Sequence, residues 1–297
     1  MNASTILREL LARPEMVIAP GAYDGLTARL IEQAGFKAVY MTGAGASAAR
    51  GYPDFGLLTM TEMVENAGVL ARSVTVPVIA DADTGYGNEL NVTRTVREYE
   101  SRNVAAIHIE DQVSPKRCGH LDGKEVVGRD EFMAKIRAAV AARRNPDFLI
   151  IARTDARAVI GFDEAVWRAN AALDAGADMA FVEATQSLDE VAAVPRLVKG
   201  PCLLNVVPGG RTPIFLLDDA QAMGYRMAIL PGILLQTVVH NCDLALHALH
   251  ATRMPAGLLA DASVADFFRR VGADEWNAIR HTVERRFEEM GDGSHPS

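Results

Sequence analysis

Short apolar runs rich in β-branched residues alternate with longer amphipathic segments along most of this chain. The runs predict strands at Met16–Ala19, Ala38–Thr42, Val78–Asp81, Ala105–Glu110, Phe148–Arg153, Met179–Glu183, Cys202–Val206 and Met227–Leu230. Each is nearly free of charge until its last residue, the pattern of strands buried on both faces of a parallel sheet. Between them, helical periodicity predicts helices at Asp24–Ala34, Thr61–Arg72, Asn91–Arg102, Arg129–Ala142, Phe162–Ala175 and Leu217–Met223, with Ile233–Thr252 and Ser263–Met290 beyond the last strand.

This rhythm predicts a closed α/β barrel of the (β/α)8 TIM type, in one domain spanning 1–297 with a C-terminal helical extension from about residue 253. The rival is an open doubly wound sheet, but no GxGxxG follows the first strand, which removes its commonest dinucleotide-binding form. The apolar, His-bearing face around His240, His247 and His250 suits contact with another subunit.

Composition narrows the function. The chain has 49% hydrophobic residues and a net charge of −8, with no Lys/Arg run, so a nucleic-acid partner is not expected. No stretch is apolar enough to span a membrane. The N-terminal segment is amphipathic without the apolar core of a secretory signal. Its three cysteines, Cys118, Cys202 and Cys242, have no paired spacing and read as reduced thiols, so a cytoplasmic location is expected.

Barrel enzymes carry their chemistry at the C-terminal ends of the strands, and here those ends are polar. Asp81 and Asp83 follow strand three, Glu110 ends strand four, and Asp54 lies in the loop Tyr52-Pro53-Asp54-Phe55-Gly56. Singly, Asp83 and Asp111 read equally well as turn formers or helix caps. Carboxylates converging on one mouth require a cation, and hard oxygen donors without a Cys/His cluster suit Mg²⁺ or Mn²⁺. Mg²⁺ usually keeps several waters, so Asp81 alone is a sufficient direct ligand. Arg153 and Asn205, at the ends of strands five and seven, are natural partners for a carboxylate or oxyanion, and Glu183 is a candidate to orient Arg153. Thr42, Gly43 and Ala44 form a candidate anion nest.

The loop after strand four is about 15 residues long and holds Lys116-Arg117-Cys118-Gly119-His120, a length at which lids are found. Cys202 and Cys242 sit in apolar runs, whereas Cys118 has cationic neighbours that would lower a thiol pKa.

Three segments carry a resemblance: Asp81-Ala82-Asp83-Thr84-Gly85-Tyr86-Gly87, His108-Ile109-Glu110-Asp111-Gln112 and Lys116-Arg117-Cys118-Gly119-His120. In order and spacing they are similar to the metal-site and catalytic-loop motifs of the isocitrate lyase/phosphoenolpyruvate mutase superfamily, over roughly residues 5 to 255. The resemblance implies a barrel whose last helix swaps between subunits of a homotetramer built as a dimer of dimers. It also implies Mg²⁺ bound directly by Asp81, with Asp54, Asp83 and Glu110 acting mostly through water.

Cys118 resembles the carbon–carbon lyase branch and the oxaloacetate-hydrolysing relatives rather than the phosphonate enzymes. The likeness is greatest to lyases of 2-methylisocitrate and 2,3-dimethylmalate. After Asn205, however, the chain runs Val206-Val207-Pro208-Gly209-Gly210-Arg211-Thr212-Pro213 rather than the Thr-Glu-Phe-Gly typical of 2-methylisocitrate lyases. That departure favours a substituted malate.

The expected function is therefore an Mg²⁺-dependent cleavage of a small 2-hydroxydicarboxylate into an α-keto acid and a carboxylate. Cys118 is the expected acid, Tyr40 the base, and Lys116 and His120 further catalytic groups. Arg117, Gly119, Arg153, Glu183, Asn205 and the Thr42 turn are expected to bind substrate. Hydrolysis of oxaloacetate is the alternative, with phosphonopyruvate or carboxyphosphonate chemistry behind it.

Overall fold

The computed structural model describes residues 2–213, 215–254 and 263–291, with side chains to residue 283. Its strands are β1 (Val17–Ala22), β2 (Val39–Met41), β3 (Val78–Asp81), β4 (Ala106–Glu110), β5 (Leu149–Thr154), β6 (Met179–Val182), β7 (Cys202–Asn205) and β8 (Met227–Leu230). All pair in parallel with their sequence neighbours, and β1 pairs with β8 from Val17↔Met227 to Pro20↔Leu230, closing the barrel. The expected (β/α)8 architecture is present.

Alternation along each strand sorts the side chains. Inward positions of successive strands, among them Tyr40, Ile79, Ile151, Phe181, Leu203 and Ile229, form one apolar cluster. Outward positions such as Val39, Ala80, Ile107 and Ile150 pack against helices in a second. The barrel interior is thus a filled core, leaving the strand ends for chemistry.

The amphipathic N-terminus forms the helix Ala3–Ala12, which was not expected. It joins the inner cluster through Ala3 and Leu7. Arg8 donates to the Asp147 carbonyl (2.9 Å) and to Asp178 (2.8 Å), groups just before β5 and β6, which ties this helix to the N-terminal end of the barrel.

Thr42 leaves the expected second strand and becomes the N-cap of a short helix, Gly43–Ala48. The helix Leu188–Leu197 was also not foreseen, because Pro195 lies inside it and reads as a breaker. Its Ser187 cap and the acidic Asp189 and Glu190 in its first turn offset that cost. The expected helix 263–290 is two, Val264–Arg270 and Ala273–Gly291, broken at Gly272 with φ 94°.

Internal contacts divide the chain into two units after His240. The second holds the end of the helix Ile233–Thr252 and the two helices that follow. Among the described residues, no helix is long and apolar enough to cross a membrane.

Candidate active site

Strand register assembles the site. Asp81 pairs with His108, Glu110 with Arg153, and Arg153 with Phe181. Asp81, His108, Glu110 and Arg153 therefore lie side by side across β3, β4 and β5, with Phe181 of the apolar interior next to Arg153. Asp81 and Arg153 border a cavity of about 170 Å³. Tyr40, Thr42, Asp54, Asp81, Arg153, Glu183, Asn205 and Gln236 are polar members of its lining, and Ala44, Val207, Pro231 and Leu235 are apolar ones. Cys118, Gly119 and His120 form the remainder of its wall.

The loop after β4 is seated on this mouth by bonds along its whole length. Lys116 Nζ pairs with Asp54 and lies 3.1 Å from Asp83. The Cys118 N–H donates to the Asp54 carbonyl (3.1 Å). Lys124 Nζ reaches the Gly119 carbonyl and Asp155 Oδ1, the latter at 3.0 Å. Loop closure is thus built from ion pairs at both ends and a glycine at its centre.

The acids differ in state. Burial alone would raise Asp81, but His108, Lys116 and Arg153 outweigh it and hold its carboxyl down to about 2. Burial, with Asp81 and Asp54 beside it, pushes Asp83 up to about 6 against the pull of Lys116. Burial also drives Glu110 well above the carboxylate range despite Arg153. The Asp83 backbone stands in the left-handed region at φ 45°, where Asp81 Oδ1 accepts its N–H at 3.0 Å.

Among the described residues, no three His, Cys, Asp or Glu side chains converge as direct ligands of one ion. The full carboxylate cage that the strand ends admitted is therefore not formed. A largely water-bound hard cation does fit the donors present. Among the described residues, Glu110 Oε1 is buried with neither a hydrogen bond nor an ion-pair contact, while Glu110 Oε2 and Asp83 Oδ1 are met only by the cations of Arg153 (3.2 Å) and Lys116 (3.1 Å); a buried acceptor such as Oε1 needs a partner. Asp81 Oδ2 packs against Gly43, where a β-carbon would stand 2.4 Å away, so the small residue keeps room beside that oxygen.

Arg153 Nε lies 2.9 Å from Asp155 and 3.2 Å from Glu110, and its Nη2 lies 3.3 Å from Glu183. Glu183 is therefore one of three carboxylates fixing this guanidinium. The Asn205 amide nitrogen donates to Glu183 at 3.0 Å. Tyr40 Oη and His108 Nε2 are 2.8 Å apart in full burial. Burial, reinforced by Asp81, lifts the Tyr40 phenol well above its usual range, while burial lowers His108 to about 4. Burial thus favours a neutral phenol at Tyr40 with a neutral imidazole behind it.

Cys118 departs from the expectation of a lowered pKa. Burial raises its thiol, aided by Asp54 and Glu183. The neighbouring cations are engaged elsewhere: Lys116 is bound to acids, and Arg117 is exposed, with its guanidinium 5.6 Å from the Phe55 ring. Of the expected substrate-binding residues, Arg117 and Gly43 are not part of the cavity lining. Lys116, Asp83 and Glu110 lie behind the lining rather than in it.

Several residues around the site carried no expected role. His108 shares its strand face with Glu110 at two-residue spacing, a signal that would have marked it. Lys124 and Asp155, which lock the loop, are distant in sequence and had no such signal. Asp111 is neither cap nor turn former. It is buried, accepting from Thr154 (2.6 Å), the Asp155 N–H (2.8 Å) and Arg168 (3.0 Å).

Residues 7–250 match the family described as phosphoenolpyruvate phosphomutase. A 2,3-dimethylmalate lyase of Eubacterium barkeri is 52% identical over 232 residues, 78% of this chain and 80% of that protein. A 2-methylisocitrate lyase of Aeropyrum pernix is 41% identical over 286 residues, 96% of this chain and 92% of its own. An oxaloacetate acetylhydrolase, solved with the inhibitor 3,3-difluorooxalacetate, superposes with a TM-score of 0.92 at 38% identity, covering 95% of this chain and 97% of that one. The fold, the motifs and these matches agree: the chain belongs to the isocitrate lyase/phosphoenolpyruvate mutase superfamily.

Proposed function

We propose that this protein is a divalent-metal-dependent carbon–carbon lyase that cleaves a substituted malate to an α-keto acid and a carboxylate. The observation that carries this reading is the cavity, where a protonated Cys118 thiol shares one space with Arg153, Tyr40 and Asp81. Its lining also includes Val207, Pro231 and Leu235, apolar surface for alkyl substituents, and among the described lining residues Arg153 is the one Arg or Lys side chain, which leaves no second one for a third carboxylate. The higher identity to the dimethylmalate enzyme agrees with that preference.

Mg²⁺ or Mn²⁺ would be held by Asp81, with Asp54, Asp83 and Glu110 reaching it through water, and would supply Lewis acidity toward the substrate's oxygens. Tyr40 accepts the hydroxyl proton as its own proton passes to His108 Nε2. The C2–C3 pair of electrons moves into the departing half, giving an enediolate. Arg153, Asn205, His120 and the Gly119 region hold that charge. Cys118 Sγ then delivers its proton to the new carbanion carbon.

Structural likeness to an oxaloacetate acetylhydrolase supports a second reading, hydrolysis of oxaloacetate to oxalate and acetate in the same cavity. Assay of 2,3-dimethylmalate, 2-methylisocitrate, citramalate, isocitrate and oxaloacetate, each with and without Mg²⁺, separates the two. The lyase reading expects the keto acid from dimethylmalate and no oxalate. Oxalate release as the main activity overturns it.

The proposed assembly is a homotetramer, a dimer of dimers, in the cytoplasm. The helix Ile233–Thr252 buries none of its own residues and exposes Val238, Val239, Leu244, Leu246 and Leu249, which supports its packing on another copy. Free thiols support a reducing compartment.

A further inference from the structure

The segment after β7 crosses to the loop after β4 and meets it at His120. The Arg211 backbone N–H donates to His120 Nδ1 at 3.1 Å. Arg211 Nε donates to the His120 carbonyl at 3.3 Å, and Nη2 pairs with Asp122. Gly210 lies against the ring, where a β-carbon would stand 2.7 Å from Nδ1 and 2.9 Å from the Val207 carbonyl. The far edge of the imidazole looks into the cavity, with Nε2 at 3.4 Å from Glu183 Oε1 and from Asn205 Nδ2.

A neutral imidazole has one donor nitrogen and one acceptor, and the bond made by one nitrogen fixes the role of the other. Here Nδ1 accepts, so the ring proton is on Nε2. A donor on the cavity side serves a developing oxyanion, whereas a lone pair there would repel it. We propose that Gly210 and Arg211 are positioning residues that hold His120 as its Nε2–H tautomer and keep its ring edge in the cavity. The two loops then act as one unit. Closing the loop after β4 does not complete the site unless the segment after β7 engages it.

The kinetic arm of the test rests on the lyase reading, but the tautomer can be read in the protein without substrate. Nitrogen-15 NMR of histidine-labelled protein, with His120 assigned through His120→Gln, should show an Nε2-protonated ring. Arg211→Pro deletes the N–H, and Gly210→Ala fills the space beside Nδ1. Both should abolish that signature and lower kcat about 100-fold, the scale of losing one oxyanion donor, with KM changed less than about threefold. Arg211→Ala keeps the N–H and should keep the tautomer, with kcat reduced about tenfold or less.

A general loss of fold would instead disturb the signals of all seven histidines and lower the unfolding midpoint. An Nδ1-protonated His120 in the native protein overturns the proposal. So does a native signature in both Arg211→Pro and Gly210→Ala, or a changed signature with undiminished kcat. If no carboxylate in the panel is turned over while the signature shifts as described, the lyase reading fails and the positioning role stands.

Discussion

Gly119 packs so closely on Arg153 that a β-carbon there would stand 2.5 Å from Nη2. The same atom would meet Glu183 Cγ at 2.6 Å. The loop after β4 can therefore reach the Arg153–Glu183 pair only as bare backbone. Gly119→Ala should keep the loop from seating and lower kcat/KM about 100-fold or more, since a displacement of about 1 Å costs that much. The unfolding midpoint should stay within about 2 °C, because the loop lies outside the barrel core. Steady-state kinetics with a thermal melt check this, and native kcat/KM would remove the close approach from the mechanism.

The proposed water-mediated metal shell has its own consequence. With Asp81 as the direct ligand and the other acids behind water, Asp81→Asn should weaken Mg²⁺ far more than Asp83→Asn does. A Lewis acid contributes several kcal/mol, so chelation or Asp81→Asn should lower kcat about a thousandfold. Titration calorimetry with Mg²⁺ alone reads the affinity directly. Equal losses from both substitutions would contradict the assigned shell.

Much of this was legible in the sequence because it obeys short-range rules. Uninterrupted apolar runs marked the strands, and the polar residues ending several of them (Asp81, Glu110, Arg153, Glu183) marked the site, since only side chains at the barrel mouth escape the apolar interior. Cys118 illustrates the limit. Its sequence neighbours Lys116 and Arg117 argued for a lowered pKa, but three-dimensional packing spends one on Asp54 and Asp83 and turns the other to solvent. Lys124–Asp155 and Arg211–His120 were invisible for the same reason: such pairs join residues 31 and 91 positions apart, and no local pattern encodes them.

Acid sensitivity should trace to Glu164, which accepts from Arg129 Nε (3.0 Å) and Arg168 Nε (2.9 Å). Hydrogen bonding from Arg129, with that from Arg168, outweighs burial and holds this carboxyl down to about 2. An unfolded Glu titrates near 4.3, so its folded pKa is depressed. The stabilisation is then complete above about pH 4.3 and is lost as pH falls toward about 2. Glu164→Gln should lower the melting point at pH 7 by about 2–4 °C, for roughly 1 kcal/mol. The gap between the two proteins should narrow between about pH 4.3 and 2. A constant gap across that range would assign the loss to packing instead.

Cys118 offers the most direct test of the proposed chemistry, because an acid must carry its proton when the substrate arrives. Burial and Asp54 raise this thiol above its ordinary range, so less thiolate is present at pH 8 than in an unperturbed cysteine. Alkylation of Cys118 by iodoacetamide, followed by peptide mass spectrometry, should be slow at pH 8. It should still be climbing above about pH 8.5, the midpoint of a free thiol. Cys118→Ala should lower turnover by about 10²–10⁴-fold, the contribution of a positioned acid. Binding of the keto-acid product with Mg²⁺ should persist, because Asp81 and Arg153 are untouched. Cys118→Ser should rescue little, since a hydroxyl is a much weaker acid than a thiol at the same place. Rapid alkylation at pH 7 together with unchanged turnover in Cys118→Ala would remove the thiol from the reaction and leave the proton to come from water.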